Sequence, residues 1–339
     1  MTETAKPVRW GVLSTARIAR EKVIPGIQRS KTGTVAAIAS RSQDSADAAA
    51  RALGIPVAHG SYEALLADPS IDAIYNPLPN HLHVPMTIAA VKAGKHVLCE
   101  KPIALTAAEA RQLLDLPKDK LVAEGFMVRW HPQWLKAREI VRSGELGELK
   151  AVQAFFSYFN DDPGNIRNQA DIGGGALMDI GCYPMVAGRF FFDAEPLRVV
   201  SLIDRDPAFG TDRLASGLMD FGDGRRLEFT VSTQLAPFQR LQLVGTKRRL
   251  EITIPFNAPQ GEGVSLKLDS GAKLGDAAAE VLEIAPSDQY AELADAFGRA
   301  VLGEVPAPYA AEDAVRNMEI LDALFRSERD GGWANVSPL

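Results

Sequence analysis

Val8-Arg9-Trp10-Gly11-Val12-Leu13-Ser14-Thr15-Ala16-Arg17-Ile18-Ala19 is a mainly apolar run that breaks into small polar residues and then passes into a helical pattern. A parallel strand buried on both faces, followed at once by a turn and a helix, reads this way because neither face has to meet water. The unit recurs. Residues 34–40 (TVAAIAS) form a second apolar run, after which Ala46, Ala49, Ala50 and Leu53 take helical spacing before Gly54, a residue suited to end a helix. Further strand-like runs lie at 55–58, 71–76, 96–100 and 121–127, with a helix expected from about His83 to Gly94 and Thr106 and Glu109 spaced as a capping box. The repetition predicts an α/β chain with a doubly wound parallel sheet over residues 1–127.

Beyond a helix with Pro132 in its first turn and an end near Gly144, the rhythm changes. Long strand-like runs at 149–159, 214–232 and 241–254 carry connections of hairpin length. Two amphipathic helices follow, one through Tyr290, Leu293, Ala294, Phe297 and Val301 and one through Ala314, Met318, Leu321 and Phe325. Residues 128–339 are expected to form an α+β domain with a large open, mainly antiparallel sheet covered by helices on one face. The Gly/Asp/Ala-rich stretch 269–280 is expected to be a mobile loop.

Composition narrows the function. The 339 residues include 37 Lys and Arg against 43 Asp and Glu, a net charge of −6, so no global positive field is available for nucleic acid or an anionic membrane. The two cysteines, Cys99 and Cys182, form no C-x-x-C pair and suit reduced thiols in the cytoplasm. No leader-like N-terminus and no apolar run of about 18 residues is present, so neither export nor membrane insertion is expected.

In a doubly wound fold the turn after the first strand is where backbone amides and a helix N-terminus meet a pyrophosphate, which makes the first domain a Rossmann dinucleotide-binding candidate. Gly11, Ser14, Thr15, Ala16, Arg17 and Ile18 fall there, with Ala19 at the position that packs the helix. The G-x-G-x-x-G pattern is incomplete, and an ordinary strand-to-helix turn is the other reading. At the end of the second strand stand Ser40, Arg41 and Ser42, where an NAD site normally places a carboxylate. A guanidinium between two hydroxyls suits a 2′-phosphate that a carboxylate would repel, so NADP(H) is expected over NAD(H), a solvated loop arginine being the alternative.

Three further blocks carry chemistry. Tyr75-Asn76-Pro77-Leu78-Pro79-Asn80-His81-Leu82-His83 and Cys99-Glu100-Lys101-Pro102 leave strand ends, and Pro102 is a candidate cis-proline that would aim Lys101 into the cleft. In Asp171-Ile172-Gly173-Gly174-Gly175-Ala176-Leu177-Met178-Asp179-Ile180-Gly181-Cys182-Tyr183-Pro184, the glycines allow close backbone approach, and Asp179 and Tyr183 share a helix face. His81 and His83 find no partner cluster, so no metal is expected. Arg129 could orient a substrate hydroxyl or support the cofactor, a helix-start salt bridge being equally consistent, and Asn165, Arg167 and Asn168 are candidate substrate-loop residues.

The combined order of turn, P-N-x-x-H, E-K-P and glycine block resembles the Gfo/Idh/MocA oxidoreductases over nearly the whole chain. The resemblance implies that Pro77, Leu78, Asn80, His83, Glu100, Lys101 and Arg129 join the cofactor site. It implies that Lys101, Arg129, Asn165, Asp179 and Tyr183 meet substrate, with Lys101, Tyr183 and Asp179 catalytic. Many relatives carry histidine where Tyr183 stands, and tyrosine at that position resembles the dihydrodiol dehydrogenase, glucose-fructose oxidoreductase and sugar ketoreductase branches. A phenol with a pKa of about 10 needs the help of an ammonium such as Lys101 to move a proton near neutrality. The implied activity is NADP(H)-dependent oxidation of a secondary or anomeric alcohol on a sugar, polyol or dihydrodiol, by a homo-oligomer, dimer or tetramer, assembled on the open face of the second sheet. Two alternatives stay open: an oxidoreductase whose tightly bound cofactor couples two sugars, and a dinucleotide-sensing regulator without catalysis.

Overall fold

The computed structural model describes residues 6–273, 275–307 and 309–339. The chain divides into two compact units, one running to Met127 and taking in Asp288–Val315, the other comprising Val128–Ser287 and Arg316–Leu339.

In the first unit, strands β1 (Val8–Leu13), β2 (Gly33–Ala39), β3 (Val57–His59), β4 (Ala73–Asn76), β5 (His96–Cys99) and β6 (Val122–Glu124) form one sheet in the order β3-β2-β1-β4-β5-β6. Every neighbouring pair is parallel. Helices α1 (Ile24–Arg29), α2 (Gln43–Leu53), α3 (Tyr62–Ala67), α4 (His83–Lys92) and α5 (Ala107–Arg111) link them. Gly11 in β1 is demanded by packing, since a Cβ there would sit 3.0–3.1 Å from Leu65, Ile71 and Ile74 side chains. Gly54 ends α2 at φ +66°. Thr106 Oγ1 accepts from the Glu109 N–H at 3.1 Å, while the Glu109 carboxylate reaches back to the Leu105 N–H, one residue beyond the usual box. Strand order reverses between β1 and β4, the switch point at which open parallel sheets bind ligands beyond their carboxyl ends.

The sheet-rich region expected over 128–339 is interrupted. Helix α8 (Gln289–Val301) returns to the first unit, where the Phe297 ring lies 5.0 Å from that of Trp10 and Asp295 accepts from the Lys31 and Thr32 N–H groups at 2.7 and 3.0 Å. An apolar stripe on a helix announces burial without naming the surface that will cover it.

The second unit holds a nine-stranded sheet. Its strands are β7 (Leu149–Phe159), β8 (Arg198–Arg205), β9 (Asp212–Asp220), β10 (Arg226–Ser232), β11 (Gln234–Gly245), β12 (Arg249–Ile252), β13 (Val264–Asp269), β14 (Glu280–Ile284) and β15 (Ala334–Asn335), in the order β14-β13-β12-β11-β7-β10-β9-β8-β15. All pairs are antiparallel except β7–β10. Val152, Ala154, Phe156, Leu227, Val231, Leu241, Leu243, Leu250 and Ile252 turn to one buried face. Helices α6 (Pro132–Arg142) and α7 (Cys182–Phe192) pack there, with Trp134 within 5.2–5.4 Å of Phe190 and Phe191. The final helix, α9 (Ala311–Asp330), binds β8 through Ser201, whose hydroxyl donates to the Leu324 carbonyl at 2.7 Å. The connection expected to be mobile lies between β13 and β14 and is tied to the sheet: Asp276 binds Arg249 at 2.9 Å and Lys267 at 3.0 Å. Among the described residues, no helix is long and apolar enough to cross a membrane.

The glycine block sets the start of α7. Gly173 and Gly175 take φ of +85° and +118°, and the chain then makes a wide π-helical turn, Leu177–Gly181, before α7 begins. Asp212, the first residue of β9, accepts from the Leu177 N–H through Oδ2 at 2.6 Å, and a Cβ on Gly175 would collide with its Oδ1. Asp212 is 2% exposed. Burial pushes its carboxyl up to about 7, against the lowering effect of the Leu177 N–H and the Arg205 charge. A raised folded-state pKa contributes stability that is complete below the ordinary carboxyl range, near 4, and is lost as pH climbs through 7. Asp212→Asn keeps the shape and an acceptor but cannot ionise. Relative to wild type, the Tm of this variant should rise by on the order of 5 °C between pH 5 and pH 8. Parallel Tm-against-pH curves would show that Asp212 does not titrate there.

Candidate functional site

At the end of β1, Ser14 adopts φ +77°, the left-handed conformation that glycine normally supplies. Its N–H donates to the Ala39 carbonyl at 2.8 Å, and its Oγ accepts from the Ala16 N–H at 2.9 Å, which leaves the hydroxyl proton to donate elsewhere. Ser14, Thr15, Ala16 and Ile18 are half-buried, Gly11 is buried, and Arg17 is exposed and paired with Glu21 at 2.9 Å. The Arg17 side chain is thus committed outward, and the turn itself is an open cradle of small residues.

At the end of β2, the Ser40 N–H donates to the His59 carbonyl at 3.1 Å, and Ser42 caps α2 by accepting from the Ser45 N–H. Arg41 between them is exposed. Tyr62, which sequence reading passed over, lies within electrostatic reach of it: burial raises the phenol and the Arg41 charge lowers it. Small residues in the cradle, a free-standing guanidinium and the switch-point position fit a dinucleotide, its pyrophosphate on the turn and its ribose by Ser40–Ser42.

Asn76 shapes the next loop, accepting from the Leu78 N–H and donating to the His83 carbonyl at 3.1 Å. Pro77 and Leu78 are buried, and Asn80 opens a short 3-10 turn. His83 was expected in the cofactor site, but it is 1% exposed, with Nδ1 2.7 Å from the Pro102 carbonyl and Nε2 2.6 Å from that of Leu78. Burial pushes it down to about 4, so the ring is neutral at pH 7 and donates through one nitrogen only. It is a strut between two loops. The Lys101–Pro102 peptide is cis. Lys101 is half-buried, and Glu100 accepts from the phenol of buried Tyr75 at 2.7 Å, a link across β4 and β5 that sequence reading also missed. Beyond Pro102, the Glu124 carboxylate accepts from the Ile103 N–H at 2.8 Å. Among the described residues, no group of three or more His, Cys, Asp or Glu could hold a metal ion.

In the second unit, Asp179 sits in the wide turn and Tyr183 in the first turn of α7. Asp179 Oδ2 accepts from the Tyr158 hydroxyl at 2.5 Å and meets Arg167 Nε at 3.0 Å. Arg167 is held charged above its ordinary range, chiefly by Asp179, while burial and the same carboxylate push the Tyr158 phenol well up. Asp179 is therefore an acceptor flanked by two donors. Tyr183 is 4% exposed, its ring set edge-on to Phe156 at 5.8 Å and tilted on Phe256 at 5.4 Å, and within electrostatic reach of Arg167.

The structure thus brings Asp179, Tyr183 and Arg167 together and adds Tyr158. It gives Asn165 a different task. The Asn165 side-chain Oδ1 accepts from the Arg167 N–H at 3.1 Å and caps the turn 166–168, while buried Asn168 donates to Asn160 Oδ1 at 3.1 Å and the Asp162 carbonyl at 2.8 Å. Both build the loop that presents Arg167. Arg129 is buried.

Comparison with known proteins bears on what such residues do. Residues 8–126 match the oxidoreductase family with an NAD-binding Rossmann fold, and residues 134–251 match the GFO/IDH/MocA C-terminal domain. An uncharacterised oxidoreductase of Rhizobium meliloti is 46% identical over 97% of this chain and 99% of its own. A D-xylose 1-dehydrogenase (NADP+) of Haloferax volcanii is 39% identical over 95% of this chain and 98% of its own. The crystal structure of KijD10, a 3-ketoreductase from Actinomadura kijaniata in complex with NADP and TDP-benzene, superposes with a TM-score of 0.88 at 30% identity, covering 95% of this chain and 98% of that one. With a parallel dinucleotide-binding sheet, a mainly antiparallel second sheet and matches across both, this chain belongs to the Gfo/Idh/MocA family of NAD(P)-binding oxidoreductases.

Proposed function

We propose that this protein catalyses reversible NADP(H)-dependent oxidation of a secondary or anomeric alcohol on a sugar, polyol or dihydrodiol. The observation that carries the reading is the setting of Tyr183: a phenol packed against two stacked aromatic rings, one turn beyond a carboxylate bound by Arg167 and Tyr158. The names of the Haloferax relative and of the Actinomadura ketoreductase support both the sugar-related substrate and the phosphorylated cofactor.

When bound, the dinucleotide supplies the two-electron chemistry, its nicotinamide taking hydride from the carbinol carbon or returning it. Tyr183 Oη removes the hydroxyl proton in oxidation and donates it in reduction. Lys101 holds the alcohol oxygen, and its ammonium favours the phenolate form of Tyr183. Asp179 accepts from neighbouring hydroxyls and so orients the carbinol carbon. Ser40, Arg41 and Ser42 take the 2′-phosphate, Arg41 by charge and the serines by hydrogen bonds. Gly11, Ser14, Thr15, Ala16 and Ile18 shape the pyrophosphate turn. Buried Cys99 and Cys182, which form no disulfide among the described residues, support action in the cytoplasm.

A homo-oligomer is part of the same reading. The sheet face opposite α6 and α7 carries Phe155, Phe238 and Leu202, the last 79% exposed, around a shallow depression that also contains Glu228 and Arg240. An apolar patch of this kind suits a second copy of the chain.

Tyr183→Phe should lower turnover by roughly 10²-fold or more while NADPH binding, read by nucleotide fluorescence, stays near wild type; full activity would remove Tyr183 from the mechanism. Arg41→Ala should raise KM for NADP+ by about 10-fold and leave that for NAD+ unchanged, a charge-assisted hydrogen bond being of that size; an unaltered NADP+ to NAD+ ratio would return Arg41 to the solvated loop. Leu202→Arg should halve the mass measured by light scattering, and a monomeric wild type or an unchanged variant mass would sink the assembly.

A further inference from the structure

Arg167 is the cation paired with Asp179 in the second-unit site, and its charge is already answered. Its Nε meets Asp179 Oδ2 at 3.0 Å, and the arginine side chain is 42% exposed against 13% for the aspartate. The carboxylate is therefore the more covered partner, and the arginine side chain is half-buried. A guanidinium carries five N–H donors in one plane, a rigid fork, so pairing with Asp179 and hydrogen bonding to Tyr158 still leaves donors over. The loop holds that fork in place: Asn165 accepts from the Arg167 N–H, and Asn168 binds Asn160 and Asp162. Tyr158 gives its proton to Asp179, and its oxygen takes a hydrogen bond from Arg167. It adds no charge, since burial and Asp179 hold the phenol protonated.

We propose that Arg167 is a substrate-orienting, specificity-determining residue that hydrogen-bonds sugar hydroxyls through its terminal nitrogens, and that Asp179, by cancelling its charge, tunes the site to uncharged sugars against uronates. The inference rests on the sugar-oxidoreductase reading above and adds the charge class of the substrate. An arginine in contact with a carboxylate offers a dipole to an incoming anion, and a dipolar attraction falls off faster with distance than that of a net charge. The same pair offers a hydroxyl everything it needs, donors from the fork and acceptors from Asp179. An uncompensated arginine would instead draw a sugar carboxylate into bidentate pairing.

The test compares matched substrates, glucose with glucuronate and galactose with galacturonate, under NADP+ at 340 nm. Wild type should favour the uncharged member of each pair. Arg167→Met should raise KM for the aldoses by about 10-fold with a smaller change in kcat, the size expected for one or two lost hydrogen bonds. Arg167→Lys, which keeps the charge and loses the fork, should recover only part of that loss. Asp179→Asn, nearly isosteric, should shift the uronate-to-aldose ratio of kcat/KM toward the uronate by about 10-fold, because the guanidinium then stands uncompensated. NADPH fluorescence on each variant verifies that the fold is intact. An unchanged aldose KM in Arg167→Met, or an unchanged ratio in Asp179→Asn, overturns the proposal while the sugar reading stands. A wild type that turns over none of these sugars or other polyols overturns both.

Discussion

A buried carboxylate pressed against a glycine governs the second unit's chemistry. Asp212 takes the Leu177 N–H at one oxygen and occupies with the other the space a side chain at 175 would need. Only glycine tolerates both that contact and φ of +118°. The chain enters the wide turn 177–181 from this fixed point, and the turn decides where Asp179 lies relative to Tyr183. Two residues proposed to bear on the reaction are thus placed by a contact in which neither takes part. Such an anchor suits hydride and proton transfer, which tolerate little error in the position of the acid or base.

Charge in this protein is managed at contact distance. A net charge of −6 acts through screening solvent and says little about any one cleft. Arg41 stands exposed at the end of β2, Arg167 is neutralised by Asp179, and Arg17 is turned outward to Glu21. Three arginines near functional loops therefore have three different electrostatic values, and their partners account for the difference. Local pairing of this kind lets an acidic chain present a positive charge at one place and a cancelled one at another.

Much of this was legible in the linear chain because it is local. Apolar runs with small-residue breaks gave the parallel strands, Gly54 ends α2 as its spacing implied, and Thr106 caps α5 with Glu109 close by. The candidate cis bond at Pro102 is present. Other features depend on partners far along the chain. Tyr75 is 25 residues from Glu100, Tyr158 is 21 from Asp179, and Asp212 is 35 from Leu177, and no periodicity links them. The same holds for His83, whose ring nitrogens meet the backbone carbonyls of Pro102 and Leu78, and for Asn165, whose Oδ1 caps a turn.

The sequence by itself determined the two kinds of sheet, the dinucleotide turn and the acid/base candidates, since strand burial, turn chemistry and helical spacing are written in neighbouring residues. Tertiary structure alone decided that residues 288–315 return to the first unit, that His83 is a strut, and that Arg167 reaches Asp179 as a cancelled charge. The physical reason is that burial and electrostatic pairing belong to surroundings assembled from distant segments. A side chain's chemistry is fixed by its type, whereas its availability is fixed by what the fold has already bound to it.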